Sequence, residues 1–138
     1  NLNLEEGLAW AQRAAGTKSF ATLNALSNAY AKNNKLPQSD SAMNEALVFA
    51  SANQYLGAGR SQITAKRLDR ALEIFNASQK KNGDVYSVNA GYMSYYSAKA
   101  DYKKAQEYAE KALAQASEAQ KATITANIAK LKEGKDIN

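Results

Sequence analysis

Small and apolar residues recur along this chain at the spacing of one helical face. In residues 100–113, ADYKKAQEYAEKAL, Ala105, Ala109 and Ala112 stand at i, i+4 and i+7 and form one stripe. Their side chains are small enough for another helix to approach closely, and Tyr102 and Tyr108 flank them with bulk. The same spacing returns upstream as Ala71, Phe75 and Ser78, as Ser39, Met43 and Ala46, and as Gly7, Ala11 and Ala14. The first members fall at 7, 39, 71 and 105, in steps of 32, 32 and 34 residues. The helix is therefore one unit of a repeat.

The segments between these stripes carry a second pattern. Nine residues before each stripe after the first stands Tyr30, Gln62 or Tyr96. Ahead of these come Leu26/Ser27, Ala58/Gly59 and Tyr92/Met93, and further back Leu23, Tyr55 and Asn89. Each period thus holds two helices. The patterns predict eight helices, at about 3–15, 19–33, 37–49, 52–65, 67–80, 84–99, 101–114 and 117–133. Asn3–Glu6, Ser51–Gln54 and Ser117–Gln120 read as capping boxes and Asp101 as an N-cap. Pro37 suits a first helical turn, and KNGD at 81–84 a turn with Gly83 at positive φ.

The expected architecture is all-α: a right-handed stack of antiparallel helical hairpins in one domain, 1–138. Its parts are a lone second-type helix at 1–15, three repeats at 19–49, 52–80 and 84–114, and a capping helix at 117–133. A first helix without a partner is expected to expose Leu4, Leu8 and Trp10. The chain opens at Asn1 without an initiator methionine, so it is expected to be a piece of something longer.

These patterns resemble the tetratricopeptide repeat, a helix–turn–helix of 34 residues with W-x2-L-G-x2-Y in helix A and A-x3-F in helix B. The resemblance covers nearly the whole chain. Only Ala71/Phe75 matches A-x3-F literally, only Gly59 supplies the helix-A glycine, and the tryptophan and terminal proline are missing from their usual places. The segments NLNLEEGLAWAQRA, ADYKKAQEYAEKAL and LKEGKDIN are also similar to the C-terminal helical region of a secreted or periplasmic family of Gram-negative bacterial proteins. Members of that family have unknown function and carry an upstream β-rich domain. The resemblance implies an exported location. It implies no reaction and no catalytic residues.

Composition narrows the function classes. The chain has 138 residues, enough for a real core, with abundant alanine and one proline. Neither cysteine nor histidine occurs, which removes disulfides, thiolate metal sites and the commonest general base. The net charge of +5 is interspersed with acidic residues, as on an ordinary solvated surface. No apolar run nears the ~18 residues needed to cross a bilayer. The clusters Arg60/Lys66/Arg67/Arg70, Lys80/Lys81 and Lys103/Lys104 are mixed with Asp69, Glu73 and Glu107, so nucleic acid is not the expected partner. No phosphate loop, nucleophile elbow or metal-ligand spacing appears, so no enzyme activity, cofactor or metal is expected.

In tetratricopeptide stacks, helix-A positions two, five, nine and twelve face a concave groove. Here these are Ala21, Asn24, Asn28 and Ala31, then Asn53, Leu56, Arg60 and Ile63, then Ser87, Ala90, Ser94 and Ser97. Asn24, Asn28, Asn53 and Arg60 are the candidate binding residues, because amides can grip an extended backbone and arginine a carboxylate. The third repeat offers only serine and alanine, which argues against a full carboxylate clamp. Tyr92 and Tyr96 fall at packing positions, whereas the place of Tyr95 is left open. The expected function is a non-catalytic scaffold for a protein or peptide ligand. Two readings stand beside it: internal support for an upstream domain, and an accessory region of an upstream enzyme.

Overall fold

The computed structural model describes residues 3–138. The part of the expected 1–15 helix at residues 1 and 2 lies outside them. The described chain is all-α, with α1 (Leu4–Ala14), α2 (Phe20–Lys32), α3 (Leu36–Leu47), α4 (Ala52–Thr64), α5 (Leu68–Asn82), α6 (Tyr86–Ala98), α7 (Tyr102–Gln115) and α8 (Glu118–Lys132). No strand occurs among the described residues. The third helix ends earlier than its pattern predicts, leaving Val48 and Phe49 in the following turn.

Local chemistry sets the helix ends. Asp101 caps α7 by accepting from the Lys104 amide, and Ser117 with Gln120 forms the expected capping box of α8. Asn3 accepts from Glu5 N at α1. A capping box not foreseen joins Ser19 to Thr22 at α2.

One turn recurs. Asn34, Lys66, Ala100 and Gly134 all have positive φ, near +55 to +68°, and follow α2, α4, α6 and α8. In each, the next residue's amide donates to a carbonyl five residues back: Lys35 to Tyr30, Arg67 to Gln62, Asp101 to Tyr96 and Lys135 to Lys130. This is a Schellman closure, which satisfies the carbonyls that a helix end leaves unpaired. The positive-φ positions are 32, 34 and 34 residues apart, so the repeat is written in the backbone as well as in the side chains.

The chain divides into two compact units, the first ending at Ser51 and the second running Ala52–Asn138. In the first, α2 packs on α1 and α3. Leu23, Met43, Ala46 and Leu47 are buried, and the Ser27 hydroxyl donates to the Ser39 carbonyl at 2.8 Å. Leu8, expected at the surface, is only 7% exposed, a correction explained by α2 covering its side of α1. Leu4 and Trp10 are exposed as expected, at 53% and 63%.

In the second unit α4 packs on both α5 and α6, α6 on α7, and α7 on α8. Phe75 of α5 is 1% exposed and sits between two glycines. A Cβ added to Gly59 of α4 would lie 2.1 Å from its ring, and one added to Gly91 of α6 would lie 2.6 Å from it. No side chain larger than hydrogen fits at either place. The stripe Ala105, Ala109 and Ala112 is wholly buried against Met93, Ile124, Ile128 and Leu131. Tyr92 and Tyr95 are core residues, each 4% exposed, and Tyr96 packs at the core edge.

Two measurements check this account. Gly59→Ala is expected to destabilise by about 1–3 kcal/mol through overpacking, although alanine favours helix by up to ~1 kcal/mol. Gly57→Ala, whose Cβ meets nothing within 4 Å, is expected to stabilise instead. Urea midpoints that move in the same direction for both would refute the wedge. At the turns, Ala100→Gly should stabilise and Gly134→Ala should destabilise, each by about 0.5–1 kcal/mol, because only glycine enters the left-handed region without strain.

Candidate protein-interaction surfaces

The repeat brings equivalent positions of α4 and α6 face to face. The Ser87 hydroxyl donates to Asn53 Oδ1 at 2.6 Å, and Arg60 Nε donates to Ser94 Oγ at 3.2 Å. Both bonds span 34 residues, one full period. Asn53 and Arg60 therefore lie where the periodicity puts them, along one seam. They are held by Ser87 and Ser94, which were not among the candidate binding residues. Loss of hydration lowers the Arg60 pKa, with Tyr86 opposing the change, and a guanidinium so placed remains cationic.

The same face of α6 holds the segment after α8. Ser97 Oγ donates to Asp136 Oδ1 at 2.7 Å and accepts from Ile137 N at 3.0 Å. Asn138 Nδ2 donates to the Ser94 carbonyl at 2.9 Å. Partial burial pushes the Asp136 carboxyl up, but the bonds from Ser97 and Asn138 outweigh it and hold the group below its ordinary range. Beside Asp136 and Asn138 opens a cavity of about 300 Å³ lined also by Ile63, Thr64, Lys66 and Leu68.

The other two candidates, Asn24 and Asn28, stand on α2 in the first unit. Asn24 is half-buried. Asn28 is exposed and lines a groove of about 620 Å³ between α1 and α2, with Leu4, Trp10, Ala11, Ala25 and Lys32. Arg13 lies over the Trp10 ring at 5.3 Å. Its floor includes the repeat stripe Gly7, Ala11 and Ala14, which is only partly covered. The corresponding stripes of α3, α5 and α7 are buried. Sequence reading foresaw the exposed Trp10 but not that Asn28 shares its groove. The signal was present in the stripe itself, which is only partly covered among the described residues.

A third cluster is aromatic. Tyr96 and Tyr108 stack at 5.6 Å with an interplanar angle of 5°, and Tyr92 lies 5.0 Å from Tyr108. Lys104 and Lys111 lie over the Tyr96 and Tyr108 rings. The Tyr92 hydroxyl is placed to donate to Asn76 Oδ1 at 2.7 Å or Gln79 Oε1 at 2.9 Å. Nearby, Asn89 donates to Asp84 and Gln115, tying the turn before α6 to the end of α7. The bonds from Asn89 and then Gln115 hold the Asp84 carboxyl below its ordinary range.

Among the described residues no three acidic, histidine or cysteine side chains gather to hold a metal, and no helix is long and apolar enough to cross a membrane. Comparison with protein-family models and with curated proteins finds no match to this chain.

Desolvation, with Tyr108 and Tyr96 adding to it, pushes Tyr92 from 10.0 up to about 12. A raised pKa favours the protonated phenol in the folded state, so its contribution is complete below pH 10.0 and is lost as pH rises through about 12. Thermal midpoints are expected to fall across that interval. Tyr92→Phe should flatten the fall while costing about 1 kcal/mol at neutral pH through the lost hydrogen bond. An equally steep fall in the variant would assign the alkaline sensitivity elsewhere.

Proposed function

We propose that this chain is a non-catalytic protein-interaction scaffold of tetratricopeptide type, and that it engages its partner through the groove between α1 and α2. One observation carries the reading. The repeat stripe on α1, α3, α5 and α7 is buried on three of these helices and only partly covered on α1. In the second unit, α5 and α6 follow one another as α1 and α2 do, and α4 packs on both. The α1–α2 groove has Gly7, Ala11 and Ala14 on its floor, with an exposed tryptophan and an amide at its edge. Tryptophan combines large apolar area with a polar N–H, a combination favoured at interfaces. A preformed groove needs little ordering on binding. The resemblance to exported bacterial proteins supports a periplasmic or secreted setting for the scaffold.

A second reading follows from the packing of α4, a helix of this same chain, on both α5 and α6. The α1–α2 groove would then receive a helix of the same polypeptide and serve as internal support. Adding the preceding segment would raise the thermal midpoint under that reading and leave it unchanged under the first.

Trp10 is the only tryptophan and so reports on its own groove. Cross-linking from a cell-envelope extract, with the chain and with Trp10→Ala/Asn28→Ala, should yield a partner that the variant loses. Titrating that purified partner should shift Trp10 emission to the blue. A partner retained equally by the variant, with no emission shift, would sink the α1–α2 assignment.

A further inference from the structure

Seven of the eight tyrosines fall in the second unit. That unit has no cysteine, histidine or tryptophan, and its one methionine, Met93, is 0% exposed. A buried thioether is shielded from a diffusible oxidant, so tyrosine is the oxidisable side chain that such an agent meets there. Two of these tyrosines are placed to react with each other. Tyr96 of α6 and Tyr108 of α7 stack with ring centroids 5.6 Å apart and an interplanar angle of 5°. Both are half-buried, so solvent reaches both rings. Tyr92 also lies against Tyr108, at 5.0 Å, but it is 4% exposed and its hydroxyl is placed to donate to Asn76 or Gln79. Tyr95 meets Tyr96 edge-on and is equally buried. Among the described ring pairs, Tyr96 with Tyr108 is therefore the one in which both phenols are open to solvent. Lys104 and Lys111 lie over these two rings at 4.7 and 5.1 Å, and their charge draws anionic oxidants to the pair.

We propose that Tyr96 and Tyr108 form an oxidative modification site, at which a peroxide-type oxidant joins α6 to α7 through a dityrosine cross-link. Each phenol gives up one electron and its hydroxyl proton. The two phenoxyl radicals then pair their electrons in a new bond between one Cε of each ring. The hydrogen on each bonded carbon leaves as a proton while each oxygen takes one up, which restores both aromatic rings. The pair loses two hydrogen atoms in all. The O–O bond of the oxidant takes up the two electrons: with the two protons, hydrogen peroxide becomes two waters, and persulfate becomes two sulfates. Radicals on separate molecules must first find each other, whereas radicals held side by side need only align. The rings pivot until their Cε edges meet, a motion open to side chains at the edge of a core. The link joins positions twelve residues apart and ties α6, which packs on α4, α5 and α7, to the helix of the buried alanine stripe. The site stands whether or not the chain is a scaffold.

The test treats the whole chain, dilute enough to limit encounters between molecules, with persulfate and photoexcited tris(bipyridyl)ruthenium. The expected product is a monomer two hydrogen atoms lighter, with the blue emission of dityrosine and with tryptic fragments 82–99 and 105–111 joined. Tyr96→Phe and Tyr108→Phe each keep a ring in the stack but remove a phenol, and each should cut that emission by about tenfold or more, because the remaining phenol has lost its held partner. Tyr86→Phe and Tyr102→Phe should leave it unchanged. Circular dichroism checks that each variant keeps wild-type helicity; Tyr96→Phe carries the comparison if Tyr108→Phe does not fold. Oxidation of Trp10 in the same sample shows that the oxidant has acted. Monomer whose Tyr96 and Tyr108 stay unlinked after Trp10 is consumed would overturn the proposal. A dityrosine signal confined to dimers, or one that survives either substitution, would do the same.

Discussion

The second unit depends on the fit of one aromatic ring between two backbones. Phe75 reaches from α5 into the space that Gly59 and Gly91 leave by having no side chains. Buried aromatic area contributes strongly to a core, but only if the neighbouring helices can approach the ring. Here the approach is set by glycine on both sides, so the distance between α4 and α6 depends on how closely both backbones fit the Cδ1–Cε1 edge of the ring. That distance lets Asn53 and Arg60 reach Ser87 and Ser94 one period later. A bulkier residue at either glycine acts on the seam as well as on the core.

The helical architecture was legible because small-residue stripes at i, i+4 and i+7 leave few alternatives to packed helices. The period was legible from the same stripes. The recurring turns were less so: of their four positive-φ residues, only Gly134 and Asn34 belong to types that favour that conformation, while Lys66 and Ala100 give no local sign. Tertiary packing overrides preference there. Leu8 was misplaced because the apolar arc of α1 is broader than its exposed part, and α2 covers one edge of it.

The candidate surfaces were read unevenly for related reasons. Asn53 and Arg60 could be placed on one seam by counting residues. Their partners could not, since serine on a helix reads as a solvated position until a longer side chain from the preceding repeat is found above it. Asp136–Asn138 has no periodicity, so nothing in the sequence connects it with α6. Tyr95 was undetermined because its helix is buried around most of its circumference, and pattern cannot assign a face in such a helix.

The optical residues are distributed unevenly between the units. The single tryptophan stands on α1, whereas Tyr86, Tyr92, Tyr95, Tyr96, Tyr102 and Tyr108 gather on α6 and α7. In linear arrays of helices, stability is a sum of local terms and nearest-neighbour couplings, so melting need not be all-or-none. Tryptophan emission and tyrosine absorbance therefore record the loss of different segments. Their denaturation curves measure the coupling along the chain: superimposable if it unfolds as one cooperative block, separated if the first helices come apart before the glycine–phenylalanine wedge.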